Sequence, residues 1–199
     1  MSSPADSLPR IDAIVIGTSA GGVEALARLL PPIPSTLAAA MFIVVHVPRE
    51  RPSLLTEIFR AKCKVNVEEA VDKAQIKPGS IYFAPPDYHM LVDAGPHIAL
   101  SVDELVQYSR PSIDVLFESA ADVYGSRLLG VLLTGGNEDG AAGMAYIARC
   151  GGSTVVQDPV EALAPTMPDG ALKAMRPTHI LRLDAIRDLL ISLATRTAR

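Results

Sequence analysis

Two short runs near the amino terminus, AIVI at residues 13–16 and MFIVV at 41–45, are apolar at every position. With no polar alternation they predict strands buried on both faces, as in a parallel sheet. Between them, GGVEALARLL places Val23, Leu26, Leu29 and Leu30 on one helical face, and PPIP ends that helix. The unit is strand–helix–strand, with a right-handed crossover expected. A second helix is expected to begin near Pro52. In the middle of the chain IYFAPPD, HMLVD and HIALS are broken by Gly, Pro and Asp, which predicts hairpin strands at a sheet edge. Helical periodicity returns from Ser112 through Ile113, Leu116, Phe117, Ala120, Ala121 and Tyr124, with Gly125 as a stop. LLGVLL (128–133) reads as another buried strand, followed by TGGNEDGAAG and a helix over 141–149. TVVQ (154–157) and HILRL (179–183) are further strands, and Asp184 is placed to cap a last helix. The alternation predicts an α/β fold: a doubly wound, mostly parallel sheet flanked by helices, with a small antiparallel hairpin region at one edge. Residues 1–10 read as a flexible tail and 11–199 as a single domain.

Composition narrows the classes. Apolar residues make up 49% of the 199 and charged ones 20%, a globular balance rather than a disordered one. A net charge of -4 argues against nucleic-acid binding, which needs a basic face. No apolar run is long enough to insert in a membrane, and MSSPADSLPR has no apolar signal core. Cys63 and Cys150 form no spaced set, so they read as reduced thiols of a cytoplasmic protein.

In an open parallel sheet, ligands bind beyond the carboxyl ends of the strands. Three core strands are followed there by chemistry-bearing residues: Ser19 after the first, His46 after the second, and Asp139 in the loop after LLGVLL. These types can supply a nucleophile, a base and an orienting acid. The first turn fails as a dinucleotide fingerprint: Ser19 replaces the middle glycine, and His46 stands where the acidic ribose ligand would end the second strand. Residues 17 to 21 do fit Gly-x-Ser-x-Gly, the sharp strand-to-helix turn that projects a serine. The competing reading of Ser19 is a helix cap. His179 offers a rival base in the order Ser19, Asp139, His179, but it begins its strand and so belongs at the opposite end of the sheet. Glu138 is the alternative carboxylate to Asp139. His97 reads as solvated; His89 follows no core strand and is a candidate for lining the site.

These segments resemble the catalytic domain of the CheB-type protein-glutamate methylesterases of bacterial chemotaxis. VIGTSAGGVEAL is similar to the family's Ile-Gly-Ala-Ser-Thr-Gly-Gly, VVHVP to its Gln-His-Met-Pro, and LLTGGNEDGAAGM to its Leu-Thr-Gly-Met-Gly-x-Asp-Gly-Ala. KPGSIYFAPPDYHM, RPSIDVLFESAA, GGSTVVQD and MPDGAL extend the resemblance across Ile11 to Leu190. It implies Ser19 as nucleophile, His46 as base and Asp139 as acid. Gly136 falls where the family has a methionine whose backbone N–H helps hold the oxyanion; Ala20, Val45, Val47 and Asn137 also depart from the usual residues.

The resemblance implies a serine hydrolase acting on methylated glutamate of a chemoreceptor or related signalling protein, with deamidation of receptor glutamine by the same steps. The expected oxyanion donors are the backbone N–H groups of Ala20, Gly21 and Gly136. Arg49, Arg51 and Arg110 are candidates for guiding an acidic receptor helix. No metal or organic cofactor is needed, and oligomeric state is open. With about ten residues before the first strand, the receiver domain typical of the family is not expected within this sequence. The alternatives are a partner-binding homologue without turnover and a general small-ester hydrolase.

Overall fold

The computed structural model describes residues 8–47 and 54–196. Most of the expected flexible tail, and Arg49, Arg51 and Pro52, lie outside the described residues. The elements run β1 (Ala13–Thr18), α1 (Gly22–Leu29), β2 (Ala40–Val45), α2 (Leu55–Arg60), β3 (Asn66–Glu69), β4 (Ser80–Phe83), β5 (His89–Asp93), β6 (His97–Ser101), α3 (Ile113–Tyr124), β7 (Leu128–Leu132), α4 (Ala141–Arg149), β8 (Ser153–Gln157), α5 (Thr166–Ala174), β9 (His179–Leu181) and α6 (Leu183–Arg196).

Seven strands form one sheet in the order β3-β4-β2-β1-β7-β8-β9, and every pairing in it is parallel. The uninterrupted apolar runs follow from its two covered faces. Ile14, Ile16 and Ile43 pack with Leu26 and Leu29 of α1 and Ile186 and Leu190 of α6. Ala13, Val15, Phe42 and Val44 pack on the other side with Leu116 and Phe117 of α3, Met144 of α4 and Met167 of α5. Burying a large aliphatic or aromatic side chain contributes about 1.5–3 kcal/mol, so both layers are needed to hold the central strands. No helix among the described residues is long and apolar enough to cross a membrane.

The middle of the chain departs from expectation. The strand in IYFAPPD belongs to the main sheet: β4 is buried throughout, pairs in parallel with β2 and β3, and stacks Tyr82 on Phe42 at 5.6 Å between ring centroids. The flanking Gly79 and Pro85 look like hairpin punctuation but bound a core strand. The antiparallel hairpin does form, from β5 and β6. It is a sheet of its own, with Met90, Val92 and Ile98 packed with Phe117 and Ala120 of α3. Asp184 is not the cap of α6: it lies inside the first turn and accepts from Arg28 and Arg187, while the Leu183 N–H donates to Glu161 at 2.7 Å.

The chain builds outward from β1 through β2 to β4, then returns to lay β7 on the other side of β1. Strand order therefore reverses between β1 and β7, and the crevice at their carboxyl ends is the expected ligand site. Close approach keeps that crevice in register. A Cβ on Gly17 would overlap Ile113 Cγ2 at the start of α3. Gly17→Ala is expected to lower unfolding free energy by about 1–3 kcal/mol, measured by urea denaturation, because Ile113 is branched and fixed in the core.

Candidate active site

Ser19 directly follows β1. Its N–H donates to the Thr134 carbonyl at 3.0 Å and its carbonyl accepts from Gly22 at 2.8 Å. Gly21 completes the turn at φ 80, a left-handed conformation that glycine adopts without steric cost. The adjoining loops are stitched together by threonines: Thr18 Oγ1 donates to the Thr134 carbonyl at 2.8 Å, and Thr134 Oγ1 to the Ala20 carbonyl at 2.9 Å. The cap of α1 is Gly21, with no side-chain capping bond, so Ser19 does not serve as a cap. Its hydroxyl makes no hydrogen bond among the described residues.

His46 is the next residue after Val45, the register partner of Thr18, and its N–H donates to the Thr18 carbonyl at 3.1 Å. Ser19 and His46 therefore follow neighbouring parallel strands at the same, carboxyl, end of the sheet. The imidazole Nε2 lies 2.9 Å from Asp139 Oδ2. With Asp139 as acceptor, Nε2 carries the proton, and Nδ1 is the nitrogen left to act as a base.

Asp139 is fully buried, and its partners come from α3. The Ser112 hydroxyl donates to Oδ1 at 2.9 Å, the Ile113 N–H to Oδ2 at 2.8 Å and the Asp114 N–H to Oδ1 at 3.0 Å. The first turn of a helix has unpaired N–H groups and a partial positive charge, so it suits a carboxylate. Burial pushes Asp139 up; the His46 hydrogen bond, the Asp114 and Ile113 N–H groups and the His46 charge outweigh it and hold the carboxyl below its ordinary value of 3.8. Glu138 points elsewhere, 3.8 Å from Lys173 with over half its side chain exposed. His179 opens the edge strand β9, level with Val155 of β8, away from the β1–β7 crevice.

The expected oxyanion donors Ala20, Gly21 and Gly136 have N–H groups without a hydrogen-bond acceptor among the described residues. Gly135, by contrast, donates to the Ala164 carbonyl at 2.9 Å. A Cβ at Gly136 would meet nothing within 4 Å, so this part of the loop faces open space.

The two substrate-binding candidates within the described residues have other partners. Arg110 donates to Asp87 Oδ1 from Nε at 3.1 Å and Nη2 at 2.8 Å, and from Nη1 to the carbonyls of Val102 at 2.6 Å and Asp103 at 2.8 Å. Its guanidinium joins Asp87 to the 102–111 loop. His89 is buried; its Nδ1 accepts from the Ser112 N–H at 3.1 Å and its Nε2 donates to the Glu104 carbonyl at 3.0 Å. Both ring nitrogens are committed to structure. The residues that sequence reasoning missed are Ser112 and Asp114. Ser112 carried a helix-start signal, but nothing local marked it as a partner of Asp139. A cleft of about 240 Å³ opens beside His46, lined by Val47 and by Tyr108, Ser109, Arg110 and Pro111.

Three comparisons bear on this geometry. The sequence model of the CheB methylesterase family matches residues 14–190. A putative protein-glutamate methylesterase/protein-glutamine glutaminase of Leptospira interrogans is 42% identical over 182 residues, which span 92% of this chain and 94% of that protein. A protein-glutamate methylesterase/protein-glutamine glutaminase of Symbiobacterium thermophilum is 38% identical over 186 residues, 91% of this chain but 51% of that protein. The crystal structure of the Thermotoga maritima CheB methylesterase catalytic domain superposes with a TM-score of 0.88 at 28% identity, covering 93% of this chain and 100% of that one.

Asp139→Ala removes the acceptor of three buried donors and should cost about 3 kcal/mol of unfolding free energy at neutral pH. Because the folded carboxyl titrates below 3.8, its contribution is complete above that value and is lost as pH falls through the folded one. Urea unfolding should therefore show the gap between native and variant chains narrowing only in strong acid.

Proposed function

The chain belongs to the CheB methylesterase family, and from that premise we propose that it removes methyl esters from glutamate side chains of chemoreceptors. The observation that carries the reading is the 2.9 Å contact between His46 and the buried Asp139, on parallel strands whose last register pair, Thr18 with Val45, immediately precedes Ser19 and His46. The catalytic unit is one domain over residues 11–199 working in the cytoplasm, its partner a methylated chemoreceptor or a related signalling protein.

In this mechanism Ser19 Oγ attacks the ester carbonyl carbon while His46 Nδ1 takes the hydroxyl proton. Asp139 holds the ring with Nε2 protonated and stabilises the imidazolium. The negative oxygen of the tetrahedral intermediate accepts from the N–H groups of Ala20, Gly21 and Gly136, each such donor being worth about 3 kcal/mol in the transition state. His46 returns its proton to the departing methoxide, which leaves as methanol. Water then adds to the acyl-serine, again with His46 as base, and releases glutamate and free Ser19. The open space at Gly136 supports this role, since its N–H is reachable where the family has a side chain.

A second activity has its own support. The Leptospira and Symbiobacterium relatives are named for glutaminase as well as methylesterase action. A carboxamide follows the same steps, with ammonia leaving in place of methanol.

The test is methanol release from methylated receptor membranes. Ser19→Ala is expected to lose at least ~10³-fold in kcat with its fold intact. Equal rates would remove the proposal. A small chromogenic ester hydrolysed faster than the methylated receptor would point to a general esterase.

A further inference from the structure

The cleft wall facing His46 is the loop between β6 and α3, and its tip is conformationally costly. Gln107 and Tyr108 are consecutive non-glycine residues at φ 48 and 63. Left-handed backbone at a non-glycine residue is costly and persists only where its surroundings hold it. One restraint is a side-chain bond: Gln107 Nε2 donates to Asp114 Oδ2 at 3.1 Å. The other oxygen of Asp114 accepts the Gly143 N–H of α4 at 2.7 Å. The backbone N–H of the same residue donates to Asp139 Oδ1 at 3.0 Å. One residue in the first turn of α3 therefore touches the cleft wall, the start of α4 and the carboxylate that meets His46.

We propose that Asp114 is a positioning residue of the esterase, an ionised carboxylate that ties the cleft wall to the Asp139 loop. The proposal rests on the esterase reading above. Both side-chain partners of Asp114 are donors, so the geometry is built for an acceptor on each oxygen. A proton on either oxygen sets O–H against N–H and releases one tie. Asp114 is 5% exposed. Burial, together with the charges of Asp139 from the loop before α4 and Glu118 on its own helix, pushes its carboxyl up to about 6, against the N–H groups of Gly143 and Gly140. The tie is therefore intact at neutral pH and is lost as pH falls through about 6. The fold itself responds with the opposite sign. The folded carboxyl binds its proton more tightly than the unfolded one, so protonation at Asp114 favours folding while it loosens the wall.

The experiment is the pH dependence of kcat and KM for methanol release by the full chain and by Asp114→Asn, Gln107→Ala and Ser19→Ala. Asp114→Asn is expected to lose about tenfold in kcat/KM at pH 8 and to remove one ionisation from the acid limb. Gln107→Ala, at an exposed loop position that does not threaten folding, is expected to raise KM severalfold, to lower kcat less, and to keep that ionisation. A purely structural Asp114 would lower the melting temperature and leave the shape of the limb unchanged. The native limb in Asp114→Asn, or the native KM in Gln107→Ala, overturns the proposal; the second decides alone if Asp114→Asn does not fold. Native rates in Ser19→Ala would instead remove the esterase reading.

Discussion

A buried carboxylate is tolerated only when donors replace the water it has lost, and Asp139 finds them at the first turn of α3. That arrangement constrains everything around it. The α4 loop must approach α3 closely enough to deliver the side chain. The start of α3 must press on β1, where Gly17 leaves room for Ile113. The remaining reach of the carboxylate then falls on His46 at the end of β2. One helix terminus thereby fixes the charge, the ring orientation and the spacing between two loops that are remote in sequence.

The sheet order explains why the pieces meet where they do. Strand order reverses at β1, so the loops after β1 and β7 lead to helices on opposite faces of the sheet, α1 on one and α4 on the other. The backbone on both sides is locked by Thr18, Thr134 and the carbonyls they engage. The N–H groups of Ala20, Gly21 and Gly136 stay outside that network. A turn that is rigid yet has unpaired donors is suited to receiving negative charge, because its dipoles need not reorganise when the charge appears. The 102–111 loop, clamped by Arg110 and His89, supplies the wall beside it.

The parallel sheet was legible because burial on both faces demands unbroken apolar runs, and β1, β2 and β7 carry them. Ser19 and His46 stood out because each directly follows such a strand, and Asp139 because it lies in the loop after one. What local pattern hid was partnership at long range. Asp139 stands just before α4, yet it accepts from the start of α3, 26 residues upstream. Asp184 looked like the cap of α6, but Glu161 takes the first N–H. Arg110 and His89 carry the residue types of a binding site, and their hydrogen bonds also anchor the 102–111 loop. The turn residues around IYF hid a central strand because Gly and Pro punctuate core strands and hairpins alike.

The central claim is that Ser19 is a nucleophile made reactive by His46 and Asp139. Labelling the folded chain with a fluorophosphonate, followed by peptide mass mapping, tests it most directly. The account predicts one adduct, on the peptide carrying Ser19, formed far more slowly when His46 is replaced by alanine. An adduct on a different serine, or labelling of Ser19 at the same rate without the imidazole, would contradict it.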